Sequence, residues 1–167
     1  MRLFDPQFKT YFPNYILQSL MAIVVLVIIL TVLEIGAHLA LVASMGASSF
    51  IVFAMPKSTQ AQPRYVIGGH TVGLLSGGAC YLPFLWLSFP VGSLGAELLY
   101  VFMCAVAVGM AIFLMSITDT EHAPAAGTAL GIVAHGPSWQ AVVFILSCVL
   151  ALSLARWLLR GKLRNLV

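Results

Sequence analysis

Ionisable charge is what this sequence has least of. Eight Lys and Arg and five Asp and Glu make up 8% of 167 residues, against roughly a quarter in soluble domains. With 61% hydrophobic residues and a mean hydropathy of +1.04, that figure excludes an ordinary water-soluble fold and predicts an integral membrane protein. Cysteine is scarce as well. Cys80, Cys104 and Cys148 are odd in number, sit inside apolar runs and lack metal-ligand spacing, so they read as packing residues and predict neither a disulfide framework nor a metal site. The four histidines include no i, i+4 pair on one expected span and have no carboxylate cluster beside them, which argues against a haem or metal enzyme. No phosphate-binding loop, nucleophile elbow or nucleotide-binding pattern is present. Enzymatic activity, a cofactor, a nucleic-acid partner and ATP-driven pumping by this chain are therefore not expected.

What is present is long uncharged sequence. The runs are Thr10 to Leu33, Ile35 to Pro56, Tyr65 to Ala96, Leu98 to Thr118 and His122 to Ala155, and about 20 apolar residues span a bilayer as a helix. The runs lack the alternating pattern of a membrane barrel, and backbone groups in hydrocarbon must be satisfied within the segment. The expected fold class is an all-α, multi-pass transmembrane helical bundle. The first run is too long for a signal-peptide core and lacks a cleavage site, so it reads as a retained anchor, and no transit segment is indicated.

The cations set an expected topology. Arg2 and Lys9, Lys57 and Arg64, and Arg156, Arg160, Lys162 and Arg164 form three basic regions, whereas residues 88 to 97 hold no Lys or Arg. The positive-inside rule makes all three cytoplasmic. Two crossings then precede residue 57, one separates 64 from 88, and 98 to 118 returns the chain to the inside. Residues 122 to 136 and 139 to 157 must supply one crossing each. At about 1.5 Å per residue, "HAPAAGTALGIVAHG" is short for a full span and reads as a broken or half-membrane helix. The expected organisation is a cytoplasmic segment at 1–14, one membrane domain at 15–160 with halves at about 15–88 and 97–160, and a basic cytoplasmic tail at 161–167, in a cell inner (plasma) membrane.

An offset of 81 places Gly46 on Gly127, Ile51 on Ile132, Val52 on Val133 and Pro56 on Pro137. Six segments, as two inverted three-segment repeats with a Gly/Pro-interrupted short segment in each, is an organisation of channels and transporters. A plain four- or five-helix bundle with a re-entrant loop is the competing reading. Gly69, Gly73 and Gly77, at successive i+4 steps, form a small-residue stripe for close backbone approach, between the halves or between subunits.

"MGASSFIVFAMPKSTQAQPRYVIGGH" followed by "HAPAAGTAL" resembles the HPP family of integral membrane proteins, over roughly residues 40 to 160. "AQPRYVIGGH" carries the resemblance most specifically. In the His-Pro-Pro-Ala-Gly-Ala-Thr-Ala signature, Ala123 replaces the first Pro, and Ala126 and Gly127 reverse the family's Gly-Ala order. The resemblance implies a small multi-pass membrane protein. Plastid and cyanobacterial-type members are associated with nitrite transport.

The residues point to the same class. Irregular backbone at membrane depth is tolerated where it lines a cavity or is buried in protein, and a half-helix N-terminus suits a small anion. The candidate substrate-binding residues are Ser48 and Ser49 in one half, Gly127 and Thr128 in the other, and His70, His122 and Arg64 as sources of charge or protons. No metal ligands are expected. Glu34 and His38, one turn apart in otherwise uncharged sequence, form a further candidate pair, and His135 receives no role. The expected function is a channel or transporter for a small inorganic anion, nitrite foremost. The alternative is a non-transporting membrane subunit or sensor acting through partner proteins. Lipid and a small anion are the expected partners, and a homo-oligomer would help a small chain bury its polar faces.

Overall fold

The computed structural model describes residues 8–32, 39–87, 90 and 92–166. Glu34 and His38 lie outside them. The described chain is all-helical: α1 (Phe8–Val32), α2 (Leu39–Ala54), a 3-10 turn at Thr59–Ala61, α3 (Pro63–Trp86), α4 (Leu94–Thr118), α5 (Pro124–His135) and α6 (Trp139–Leu159). Helical structure begins at Phe8, ahead of position 15 where the membrane domain was expected to open, with a non-helical Tyr11 next to Pro13 inside the helix. A proline removes one ladder hydrogen bond and bends the helix there.

Local chemistry sets the other boundaries. Pro63 and Pro124 start α3 and α5, where a missing N–H costs nothing. Ser93 and Ser138 cap α4 and α6 through Ala96 N and Ala141 N, satisfying otherwise orphaned donors. Asp119 ends α4 in the left-handed region at φ 53°.

α1, α4 and α6 contain stretches long and apolar enough to cross a membrane, Thr10–Ile28, Leu94–Thr118 and Trp139–Leu159. α2 is a shorter apolar helix and α5 has 12 residues. Large apolar side chains lie outside: Leu20 and Val24 on α1, Val101, Phe102 and Phe113 on α4, and Leu150 and Leu154 on α6 are exposed. Lipid is as apolar as these side chains, so such a surface is stable in a bilayer and would aggregate in water. Exposed Trp139 and Trp157 stand near opposite ends of α6. Their positions are about 27 Å apart at 1.5 Å per residue, close to the roughly 30 Å hydrocarbon thickness, as interfacial aromatic anchors should be.

Contacts fix the helix directions. Gly69, Gly73 and Gly77 of α3 face His122, Ala125 and Ala129 in turn, so α3 and α5 run parallel. α2 runs against α5: Leu41 meets Gly131, and Ser48 meets His122. The end of α4 lies at the start of α3, where Asp119 pairs with Arg64. α6 ends where Arg156 donates to the Pro56 carbonyl at 2.7 and 3.1 Å. Near the start of α1, Gln18 donates to the Phe53 carbonyl at the end of α2. Direction therefore alternates along the chain, and Lys57, Arg64, Arg156 and Arg164 collect at one end.

The glycine stripe is a contact between the two halves of one chain, which resolves the two partners left open for it. A Cβ on Gly73 would lie 2.5 Å from the Ala125 carbonyl oxygen, and one on Gly77 2.6 Å from that of Ala129. Only glycine lets α3 approach α5 this closely. The C-terminal segment is tied down at the basic end. Gln18 donates to Arg164 O at 2.8 Å and accepts from Arg164 N at 3.0 Å. Leu166 N donates to Ala54 O, and Tyr15 donates to Leu166 O.

Candidate functional site

Where α2, α3 and α5 meet, five buried polar side chains form one chain of contacts. Ser44 and Ser48 are four residues apart on α2 and therefore share a face. Ser44 Oγ donates to the Pro124 carbonyl at 2.5 Å and lies 3.0 Å from Thr128 Oγ1. Thr128 Oγ1 is 2.8 Å from His70 Nδ1. His70 Nε2 is 2.8 Å from Ser48 Oγ, and Ser48 Oγ is 3.0 Å from His122 Nε2. His122 Nδ1 donates to the Gln60 carbonyl at 2.9 Å. The imidazole centroids are 5.1 Å apart with planes tilted by 58°. His70, His122, Ser48 and Thr128 each have 0% exposure, so an unpaired polar atom here would cost about 1–3 kcal/mol.

The helices explain how these groups meet. The glycines at 69 and 73 bring His70 against the first turns of α5. Gly127 lies against Ser44, where a Cβ would come within 3.4 Å of that side chain, and the α2–α5 approach sets the Ser44–Thr128 contact. The 3-10 turn presents Gln60 to the start of α5 from two sides: its carbonyl takes His122, and its Oε1 accepts from Ala123 N at 3.3 Å.

That arrangement changes one expectation. The amides opening α5 were expected to be accessible to an anion. Ala123 N is instead held by Gln60, while Ala125 N and Ala126 N bond back to His122 O and Ala123 O. The tight first turn closes on itself because Ala123 is already helical at φ −49°, ψ −40°. The polar capacity of the site resides in side chains.

The remaining candidates lie elsewhere. Ser49 Oγ bonds Met45 O, its own helix backbone, at 3.0 Å, and Ser49 lines a separate, mostly apolar cleft between α1 and α2 with Gln18 and Leu166. Arg64 is exposed, paired with Asp119 Oδ2 at 3.0 Å and donating to Thr118 O at 3.3 Å, and Tyr65 OH donates to Asp119 Oδ1. This polar group lies at the basic end. Ser44 and Gln60 were missed in the sequence. The i, i+4 relation of Ser44 to Ser48 was a readable signal, whereas Gln60 meets His122 through a backbone carbonyl and Ala123 N through its amide oxygen, contacts that depend on docking with a segment about 60 residues away. His135 Nδ1 lies 3.1 Å from Gly131 O at the far end of α5. Among the described residues, no group of three or more His, Cys, Asp or Glu is placed to hold a metal.

The family model described as "HPP, transmembrane region" matches residues 9–164. The chain belongs to the HPP transmembrane family. It is 32% identical over 114 residues to a transmembrane protein of Dictyostelium discoideum, covering 66% of this chain and 36% of that protein. A second transmembrane protein of the same organism is 32% identical over 90 residues, 54% of this chain and 26% of the relative. The chain thus spans about a third or less of the curated relatives it matches. No solved structure matches it. The "AQPRYVIGGH" stretch of this HPP protein supplies His70 and the two glycines before it, and "HAPAAGTAL" supplies His122, Pro124 and Thr128. In space the two stretches form one site.

Proposed function

We propose that this HPP-family protein is a membrane transporter or channel for a small inorganic anion, with nitrite the favoured cargo. The observation that carries this reading is the buried convergence of Ser48 and His70 from one half with His122 and Thr128 from the other. Ionisable groups buried between membrane helices are expensive, and they mark ion or proton paths. Hydroxyls and imidazoles, which can both donate and accept hydrogen bonds, are suited to a weakly basic anion. Nitrite transport among plastid and cyanobacterial-type members, which the family resemblance implies, agrees with that chemistry.

The helix arrangement supports an inverted repeat. Each half is long, short, long. Exchanging α1 with α4, α2 with α5 and α3 with α6 turns the touching pairs α1–α2, α2–α6 and α1–α6 into α4–α5, α3–α5 and α3–α4, which also touch and pack more extensively, and leaves α2–α5 and α3–α6 unchanged. With direction alternating, three helices per half give the halves opposite orientation. We assign the basic end to the cytoplasm of a cell inner membrane by the positive-inside rule. A homo-oligomer is part of the proposal, and crosslinking in native membranes that yields only monomer would remove that part.

The test is flux of nitrite, nitrate, formate and chloride into vesicles reconstituted with this chain alone. Nitrite flux should rise as external pH falls. His122→Ala should lower it about tenfold or more per inserted molecule, the effect of losing roughly 1.4 kcal/mol of interaction along the path, while His135→Ala should leave it unchanged. Folded, inserted protein that passes none of the four anions would move the function to the partner-dependent subunit or sensor reading.

A further inference from the structure

The hydrogen count of the buried chain is informative. Seven contacts link Ser44, Thr128, His70, Ser48 and His122 to one another and to the carbonyls of Pro124, Ser44 and Gln60. Each contact needs one hydrogen. Three hydroxyls and two neutral imidazoles supply one apiece, so two contacts go without. Three of the contacts end on carbonyls, which only accept, so their directions are fixed: Ser44 donates to Pro124 O, His122 Nδ1–H to Gln60 O and, where that contact is made, Ser48 to Ser44 O. Neutral His122 therefore turns an acceptor Nε2 toward Ser48. If His70 donates from Nδ1 to Thr128, it does the same. The single Ser48 hydrogen then faces three acceptors, the third being Ser44 O at 3.0 Å.

We propose that His70, Ser48 and His122 form a binding site for one proton, shared between the two imidazoles through the Ser48 hydroxyl. With the proton on His122, Nε2–H donates to Ser48, Ser48 to His70 Nε2, His70 Nδ1–H to Thr128, Thr128 to Ser44 and Ser44 to Pro124 O. Six contacts are satisfied in an unbroken direction. With the proton on His70, its Nε2–H donates to Ser48 and Ser48 to His122 Nε2, and again six are satisfied. Passage between these states breaks the His122 Nε2–H bond and forms one at Ser48 Oγ. The original Ser48 O–H breaks as an Nε2–H bond forms on His70. Ser48 keeps one hydrogen, one positive charge moves between rings, and no electron is exchanged.

A second proton would place two cationic rings 5.1 Å apart. Among the described residues, neither ring has a carboxylate bonded to it. The ionisable groups on the elements packed around the pair are Arg64, Tyr65, Cys80 and Tyr81 on α3, Glu97, Tyr100, Cys104 and the capping Asp119 on α4, Glu121 ahead of α5 and His135 at its end, and Cys148 and Arg156 on α6. Asp119 is engaged by Arg64 and Tyr65, and Arg156 by Pro56 O. The proton site rests on the transport reading only for the use made of the proton, so its test measures the proton itself.

The full chain in nanodiscs, labelled with 15N-histidine, is titrated by NMR alongside a His70→Gln/His122→Gln double variant. Wild type should take up one more proton than the double variant, and the two rings should shift together in one step. Ser48→Ala should split that step into two independent ones, and Ser48→Thr, which keeps the hydroxyl, should restore it. If the alanine variant does not fold, His70→Gln decides instead, because His122 should then titrate alone at a changed midpoint. An excess of zero or two protons, independent titration in wild type, or an unmoved His122 in His70→Gln overturns the proposal. A shared proton without nitrite flux defeats the transport reading alone; pH-dependent flux with no proton on the pair defeats this one alone.

Discussion

Thr128 occupies a position where one hydroxyl serves two neighbours, accepting from His70 and donating to Ser44. Valine has nearly the same shape and lacks both capacities. Thr128→Val should therefore leave a buried imidazole N–H unpaired and take from Ser44 Oγ the hydrogen it accepts, costing about 1–3 kcal/mol and lowering the thermal midpoint in detergent; Thr128→Ser should recover most of the loss. Unchanged melting in the valine variant would show that the contacts at 2.8 and 3.0 Å contribute nothing. Gln18 plays a similar double part at the basic end, where its amide joins Phe53 O to the backbone of Arg164. Gln18→Leu keeps the bulk and removes three bonds, so trypsin should remove the tail after Lys162 and Arg164 faster than from wild type. Equal cleavage rates would mean that Leu163 and Leu166, both buried, hold the tail by packing alone.

Among the elements, α3 and α5 depend most on close approach. Gly73→Ala puts a methyl group against the Ala125 carbonyl oxygen at 2.5 Å, where neither backbone can yield easily, whereas Gly78 on the same helix has nothing within 4 Å. The first substitution should cost about 1–3 kcal/mol, as overpacking does, and Gly78→Ala should be tolerated; thermal unfolding of both variants checks the pair, and equal stability would contradict the packing. This contrast also marks what the sequence could tell. The i+4 glycine stripe announced close packing, and Pro124 and Gly136 marked the ends of a short α5, because small residues and prolines act on local backbone geometry. That α5 is the stripe's partner, and that Ser44 and Gln60 complete the site, depends on tertiary docking between segments roughly 50 to 85 residues apart, which periodicity does not encode. Gln18 was illegible for the same reason: its partner lies 146 residues away in the tail.

At the scale of the whole molecule, the arrangement makes a claim about sides. Six helices of alternating direction place the turn after α2 and the end of α6 together, with Lys57 N bonded to Asn165 Oδ1 and Arg156 bonded to Pro56 O. The turn before α4, which carries no Lys or Arg between 88 and 97, falls at the opposite end with Trp86 and Trp139. Cations resist translocation, so the basic end should stay in the cytoplasm. In a chain with Cys80, Cys104 and Cys148 replaced by alanine, single cysteines at exposed Thr59 and Pro90 report the two ends. A membrane-impermeant maleimide applied to intact cells should label Pro90→Cys and leave Thr59→Cys untouched until the membrane is permeabilised. Labelling of Thr59→Cys alone would reverse the orientation and keep the fold. Labelling of both from outside would break the alternation itself, because an even number of crossings would then separate residues 59 and 90, and α3 could not run from one face to the other. That outcome would also take away the opposite orientation of the halves, and with it the proposed inverted repeat.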